Sequence, residues 1–252
     1  MRTISFLLIL IFACFGCTKE PSSQNKRYKV GLCIVATGRY DVFAKNLIES
    51  ARPYFCKNHD VTYFVFTDGN VPKEKDVEVI FQKRIGWPHD SLKRFHIYDA
   101  HKEKLAHMDF LFAIDADMRF EAEVGDEILG DLVGVPRDVG IHLTYENNKL
   151  SKAYMSRKKA KHYFAGAFYG GRKDEFFKIV GQLKENVDSD LLFNYIAAWH
   201  DESHLNRYFF DHPPTVVLPY SYCFYTESWE HPYEKKIVCL DKNLQEFHDE
   251  NH

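Results

Sequence analysis

Two short stretches concentrate the side chains able to do chemistry. In Phe110-Leu111-Phe112-Ala113-Ile114-Asp115-Ala116-Asp117 an apolar run of strand length ends in two carboxylates two residues apart. Residues i and i+2 of a strand point the same way. Asp115 and Asp117 are therefore expected to face one divalent cation and a phosphate together at an exposed strand end. A solvated turn is the plainer alternative for such a triplet. The second stretch, Trp199-His200-Asp201-Glu202-Ser203-His204-Leu205-Asn206, packs two histidines, two acids and an amide together. His200 and His204 have the i, i+4 spacing of a zinc pair, but Asp201 rather than glutamate follows the first histidine and no third ligand stands out. In a glycosyl-transfer site, a carboxylate here would stabilise or attack an oxocarbenium-like centre while a metal at Asp115 and Asp117 neutralises a departing diphosphate. That reading uses both stretches; a capped helix with satisfied polar groups uses neither.

The surrounding elements must place these groups. Lys29 to Val35 reads as a buried strand and Tyr40 to Tyr54 as a helix with Phe43, Leu47, Ile48 and Ala51 on one face. Val61 to Phe66 is a second strand, closed by the turn signal Thr67-Asp68-Gly69-Asn70. Val77 to Phe81 is a third, His89 to His107 is helical, and the Phe110 strand follows. This alternation predicts an α/β fold with a mainly parallel sheet, helices on both faces, and ligands at the carboxyl ends of the strands. Further on, Val124 to Val135 is expected to be helix and turn, Lys149 to Lys161 a basic loop, and Tyr163 to Gly171 a glycine-punctuated apolar segment. Helices are expected from Lys173 to Val187 and from Asp188 to Trp199.

A formal net charge of -3 suggests no nucleic-acid partner, and 45% apolar residues in 252 suffice for a substantial core. Residues 1–17 form a signal-like or anchor segment, too short for the roughly 20 residues of a usual membrane span. Cys14 and Cys17 are candidate lipidation points, which implies membrane association through this segment in a compartment the sequence does not name. Residues 18–27 read as a polar tether and 28–252 as one domain. Cys33, Cys56, Cys223 and Cys239 lack metal-ligand spacing; buried thiols or disulfides both satisfy them.

From about Lys29 to Asn243 the chain resembles glycosyltransferase family 6, the retaining α-1,3-galactosyl and N-acetylgalactosaminyl transferases. The resemblance rests on collinear blocks: Ala36-Thr-Gly-Arg-Tyr40, Tyr63 to Asp68, Ser91-Leu-Lys-Arg94, Phe112 to Phe120, Gly125 to Leu129, Thr144-Tyr-Glu146, Phe168 to Gly171 and Trp199 to Asn206. It implies a GT-A fold with a Rossmann-like nucleotide-binding half and an integrated acceptor half, a UDP-sugar donor and Mn2+. By the same resemblance Asp115 and Asp117 are metal ligands, with Ala116 between them, and Tyr40 stacks on uracil beside Val35, Ala36 and Thr37. Arg94 and Asp201 contact the donor. Ala165-Gly166-Ala167 is the donor-selecting triplet, whose last methyl leans the choice from UDP-GalNAc to UDP-galactose. Glu202 is the catalytic carboxylate, nucleophile or stabiliser, and Trp199, His200 and Tyr225 shape the pocket for a glycan acceptor. Lys242, with Lys235 and Lys236, is a candidate for phosphate neutralisation.

Two departures bear on the acceptor. The family's acceptor-contacting histidine is replaced by Arg137 or lost to a shortened loop at Asp138 to His142, and Phe224-Tyr225 stands where the family has Trp-Asp. A catalytically silent carbohydrate- or nucleotide-binding lipoprotein of the same fold is the alternative from another class.

Overall fold

The computed structural model describes residues 26–137, 145–156, 158, 160–225 and 234–242. The N-terminal segment with Cys14 and Cys17, the 138–142 loop, and the stretch from Asn243 onward lie outside the described residues. The chain opens with β1 (Lys29–Val35), α1 (Asp41–Ala51), β2 (Asp60–Thr67) and β3 (Val77–Phe81). Three short helices follow, α2 (His89–Leu92), α3 (Arg94–Ala100) and α4 (Lys102–Leu105), leading to β4 (Phe110–Asp115) and β5 (Met118–Phe120). Then come β6 (Leu132–Pro136), β7 (Phe164–Arg172), α5 (Lys173–Leu191), α6 (His200–Asp211), β8 (Val216–Val217) and β9 (Ile237–Cys239).

Seven strands in the order β3-β2-β1-β4-β7-β6-β8 form the central sheet. β1 is apolar at nearly every position because both its faces are covered. Val30, Leu32 and Ile34 pack with Ala44, Leu47 and Ile48 of α1, while Cys33 on the other face joins Phe95 and Tyr98 of α3 and Phe176 of α5. Each fully buried aromatic side chain in these layers contributes about 1.5–3 kcal/mol of burial free energy. β1 runs parallel to β2 and to β4, and β2 parallel to β3, whereas β7 is antiparallel to both β4 and β6. The sheet is thus mixed and mostly parallel, the α/β GT-A-like arrangement the resemblance implies. From β1 the chain moves outward to β2 and β3, then returns on the other side of β1 as β4. That reversal opens a crevice at the carboxyl ends of β1 and β4, the usual ligand position in such sheets. Val35 and Asp115 are register partners at its floor.

β7 passes very close to β4. A Cβ on Gly170 would lie 2.2 Å from the carbonyl oxygen of Leu111, so glycine is needed for the strands to pair here. The glycine-punctuated segment of the sequence is therefore a central strand.

Three expectations are corrected. The span from Val124 to Val135 holds a 3-10 turn at Asp126–Ile128 and then β6, not a helix, because pairing with β7 overrides its local apolar spacing. His89 to His107 breaks into three helices at Lys93 and His101, whose backbones leave the helical region. Asp188 to Trp199 is not a separate helix: α5 continues to Leu191, and Asn194 then takes a left-handed conformation with φ 53. Buried Asp190 fixes that extension by accepting hydrogen bonds from the Ser151 hydroxyl at 2.5 Å and the Lys152 N–H at 2.8 Å. The four described cysteines are free thiols.

Candidate active site

The crevice between β1 and β4 holds a cavity of about 120 Å3 lined by Val35, Thr37, Tyr40, Arg84, Trp87, Asp90, Ser91, Arg94, Asp115, Ala116, Asp117 and Lys242. Eight residues expected at the donor line it: Val35, Thr37, Tyr40, Arg94, Asp115, Ala116, Asp117 and Lys242. Asp115 is the last residue of β4, whereas Asp117 lies in the turn before β5, so the two share the cavity without being neighbours on one strand face. Asp115 is partly exposed and Asp117 buried. Burial, then the charge of Asp115, pushes the Asp117 carboxyl above the usual carboxylate range.

Lys242 answers that charge. β5 pairs with β9, and the Leu240 N–H donates to the Asp117 carbonyl at 2.8 Å, which carries the following residues back across the cavity. The Lys242 ammonium pairs with Asp117 Oδ2 and lies 4.5 Å from the centre of the Tyr40 ring. Burial works against its charge, but Asp117 lifts Lys242 above the ordinary lysine range.

Arg94 ties this cavity to the second carboxylate cluster. Its Nη1 is 2.8 Å from Asp115 Oδ1, and its Nε is 2.9 Å from Asp201 Oδ2. Nη1 also donates to the Gly166 carbonyl at 3.3 Å. Burial pushes Asp201 up to about 7 even though Arg94 pulls the other way. Asp201 does not line the cavity and stands behind Arg94.

Glu202 follows in the first turn of α6 and is buried. Its Oε1 accepts from the Tyr163 hydroxyl at 2.7 Å. Its Oε2 accepts from the Gly166 N–H at 2.7 Å and from Arg137 Nη2 at 3.0 Å. Burial, then the charge of Glu202, raises Tyr163 far above the tyrosine range, so it remains a hydroxyl donor. Asn206, one helical turn on, fixes the approach of α6 to β7 by accepting from the Phe164 N–H at 2.7 Å and donating to the Phe164 carbonyl at 2.8 Å.

The triplet Ala165-Gly166-Ala167 lies in β7, where Ala165 is wholly buried and Gly166 turns toward Glu202. Ala36 is likewise wholly buried. Trp199 and Tyr225 are half exposed, and His200 packs edge-on against Trp87 with ring centres 5.2 Å apart. His204 is fully buried, with Nε2 3.7 Å from Asp190, so the two histidines of the zinc alternative do not share a site. Among the described residues no group of three or more His, Cys, Asp or Glu side chains is placed to hold a metal. Asp115 and Asp117 nevertheless suit a hard divalent cation, because such ions take carboxylate oxygens from the protein and complete their shell with substrate phosphates and water.

The amino-acid sequence alone does not single out Arg84, Trp87 or Asp90. Asp68, expected only as part of a turn, arranges this side of the cavity: Oδ1 accepts from the Gly38 N–H and Oδ2 from the Arg84 N–H, each at 2.7 Å. Asp90 accepts from the N–H groups of Ile85 at 2.9 Å and Gly86 at 3.0 Å, which closes the loop bearing Trp87. The lone signal in the sequence is the cluster Arg84-Ile85-Gly86-Trp87-Pro88 before a known block.

The family profile described as Glycosyltransferase family 6 matches residues 19–248. The chain belongs to glycosyltransferase family 6. As a family 6 member it is a hexosyltransferase. It is 30% identical over 241 residues to the human globoside alpha-1,3-N-acetylgalactosaminyltransferase 1, covering 88% of this chain and 69% of the relative. It is 33% identical over 244 residues to the rat histo-blood group ABO system transferase 1, with 88% and 70% covered. The Escherichia coli O-antigen biosynthesis glycosyltransferase WbnI is 27% identical over 233 residues, with 87% and 97% covered. The family 6 chain thus spans about two thirds of the length of these mammalian relatives and nearly all of the bacterial one.

Proposed function

We propose that the chain is a retaining α-1,3-glycosyltransferase that moves galactose, or N-acetylgalactosamine, from a UDP-sugar to a hydroxyl of a glycan acceptor in a metal-dependent reaction. The observation that carries this reading is the line Asp115–Arg94–Asp201, with Arg94 also held by Gly166, whose N–H in turn binds Glu202. It couples a cavity suited to a nucleoside diphosphate directly to a buried carboxylate.

Tyr40 offers its ring to the base, and Asp115 and Asp117 would hold the cation. That cation, when bound, supplies charge that offsets the diphosphate as the sugar departs. Lys242 exchanges Asp117 for a phosphate oxygen. Arg94 keeps its planar fork toward the sugar and phosphate while Asp201 anchors it from behind. Glu202 meets the positive charge that develops at the anomeric carbon, as nucleophile or as stabiliser. The cavity is smaller than the roughly 300–1,000 Å3 of most ligand sites, so donor entry parts Lys242 from Asp117. Trp199, His200 and Tyr225 are the acceptor side. The Ala167 methyl favours galactose over the larger sugar, by no more than about 1–3 kcal/mol.

Sugar transfer from UDP-galactose with Mn2+, measured for the wild type and for Glu202→Ala and Asp117→Ala, tests this function. Full activity in either variant contradicts the assigned roles. Donor binding with neither transfer nor donor hydrolysis in the wild type favours the silent binding protein instead. Residues 1–17 are proposed to hold the enzyme at a membrane, and N-terminal mass analysis would show a lipid on Cys14 or Cys17 or an uncleaved segment. Among the described residues no helix is long and apolar enough to cross a membrane.

A further inference from the structure

Arg137 stands where the family resemblance puts an acceptor-contacting histidine, yet its guanidinium is directed at Glu202. The placement follows from the backbone. β6 and β7 shift register between Gly134 and Pro136, and beyond the shift the Arg137 N–H donates to the Tyr163 carbonyl at 2.7 Å. Two paired residues thus send side chains to the same carboxylate, Arg137 to Oε2 at 3.0 Å and Tyr163 to Oε1 at 2.7 Å. Arg137 is mostly shielded from water, its Nε has no hydrogen-bond partner among the described residues, and its Cζ lies 5.7 Å from the centre of the Tyr225 ring.

A carboxylate offers about four lone-pair sites, two per oxygen. Oε2 accepts from Gly166 and Arg137 and is full; among the described residues Oε1 accepts from Tyr163 alone. We propose that, within the transfer reaction proposed above, Arg137 is a positioning residue that fixes the Glu202 side chain and saturates Oε2, leaving Oε1 as the oxygen that meets the anomeric carbon. Arginine suits this task because it stays charged at every working pH and fixes geometry with a rigid fork. The other charged or titratable groups near Glu202 do not replace it. Tyr163 is a neutral hydroxyl, Cys223 beside Arg137 is pushed up to about 12 by burial, and Arg94 is engaged by Asp115 and Asp201.

The test combines kinetics with a double-mutant cycle on Arg137→Met, Arg137→Lys, Glu202→Gln and Arg137→Met with Glu202→Gln. In Arg137→Met, kcat is expected to fall about 10- to 100-fold while donor and acceptor KM change little. Arg137→Lys recovers part of kcat, and in the Glu202→Gln background Arg137→Met costs nothing further. A raised acceptor KM with unchanged kcat overturns the proposal and makes Arg137 an acceptor reader; no recovery of kcat in Arg137→Lys overturns it as well. Thermal unfolding of the wild type and these four variants reads the pairing without activity, with a favourable coupling expected between Arg137 and Glu202. No transfer by the wild type alongside strong coupling would sink the proposed function and leave the ion pair standing. Absent coupling sinks the pair itself. Should Arg137→Met not fold, Arg137→Lys carries the comparison.

Discussion

Gly166 and Glu202 fit against each other so closely that nothing larger than glycine leaves the carboxylate where it is. The Gly166 N–H lies 2.7 Å from Oε2, and a Cβ on residue 166 would lie 3.1 Å from Glu202 Cβ. The glycine of the triplet thus acts from β7 on the carboxylate proposed as catalytic. Gly166→Ala should keep the fold, since Glu202 can give by a few tenths of an ångström, while kcat falls roughly 10- to 100-fold with donor affinity nearly intact. Circular dichroism and steady-state kinetics on one preparation check both halves.

Arg94 serves two carboxylates at once. Arg94→Met would leave Asp115 and Asp201 without their shared cation in a largely buried setting. Breaking such pairs from one side costs about 3–5 kcal/mol, so urea unfolding should show a loss of that order. Combining Arg94→Met with Asp201→Asn should return part of it.

The proposed divalent ion would compete with Lys242 for Asp117. Without nucleotide, Lys242→Met should bind Mn2+ about tenfold more tightly than wild type, equivalent to ~1.4 kcal/mol for a partly buried pair. With UDP present the advantage should reverse, since the phosphate has lost a cation. Isothermal titration of Mn2+ with and without UDP measures both.

His204 gives the stability a pH dependence. Burial first of all lowers its pKa from 6.5 to about 4, against the opposing pull of Asp190 and Glu146. Below pH 6.5 the unfolded chain takes up a proton that the folded one refuses. The stabilisation from neutral His204 is therefore complete above pH 6.5 and is lost as pH falls toward 4. Asp201, pushed up to about 7, acts in the opposite sense, its burden easing as pH falls. The two are separated by comparing Tm against pH in wild type and His204→Leu: the variant should lose less between pH 6.5 and 4.5.

Much of this was legible in the sequence where one element decides its own environment. β1 occurs with the expected bounds because its apolar run meets β2 and β4 on its two sides, and β3, at the sheet edge, keeps its expected bounds through its pairing with β2. Asp115 and Asp117 do meet at one cavity, as an apolar run ending in two carboxylates suggests, but Asp117 reaches it from a turn rather than from the strand face. β6 was not legible, since a five-residue strand that contains Gly134 and ends on Pro136 acquires its identity from β7. Nor was the pairing of Arg137 with Glu202, which depends on a register shift between strands far apart in the chain. Trp87 and Arg84 were missed because side-chain bonds to Asp68 and Asp90 place their loop, and such bonds leave no periodic trace.

The central claim is that Glu202 serves sugar transfer with retained configuration. The most direct measurement is the proton NMR spectrum of the product made from UDP-galactose, Mn2+ and a glycan acceptor by wild type and by Glu202→Gln. A new α-linked galactose on a 3-hydroxyl, formed by the wild type and reduced about 100-fold or more in the variant, is the predicted result. A β-linked product, or equal rates from both proteins, would contradict it.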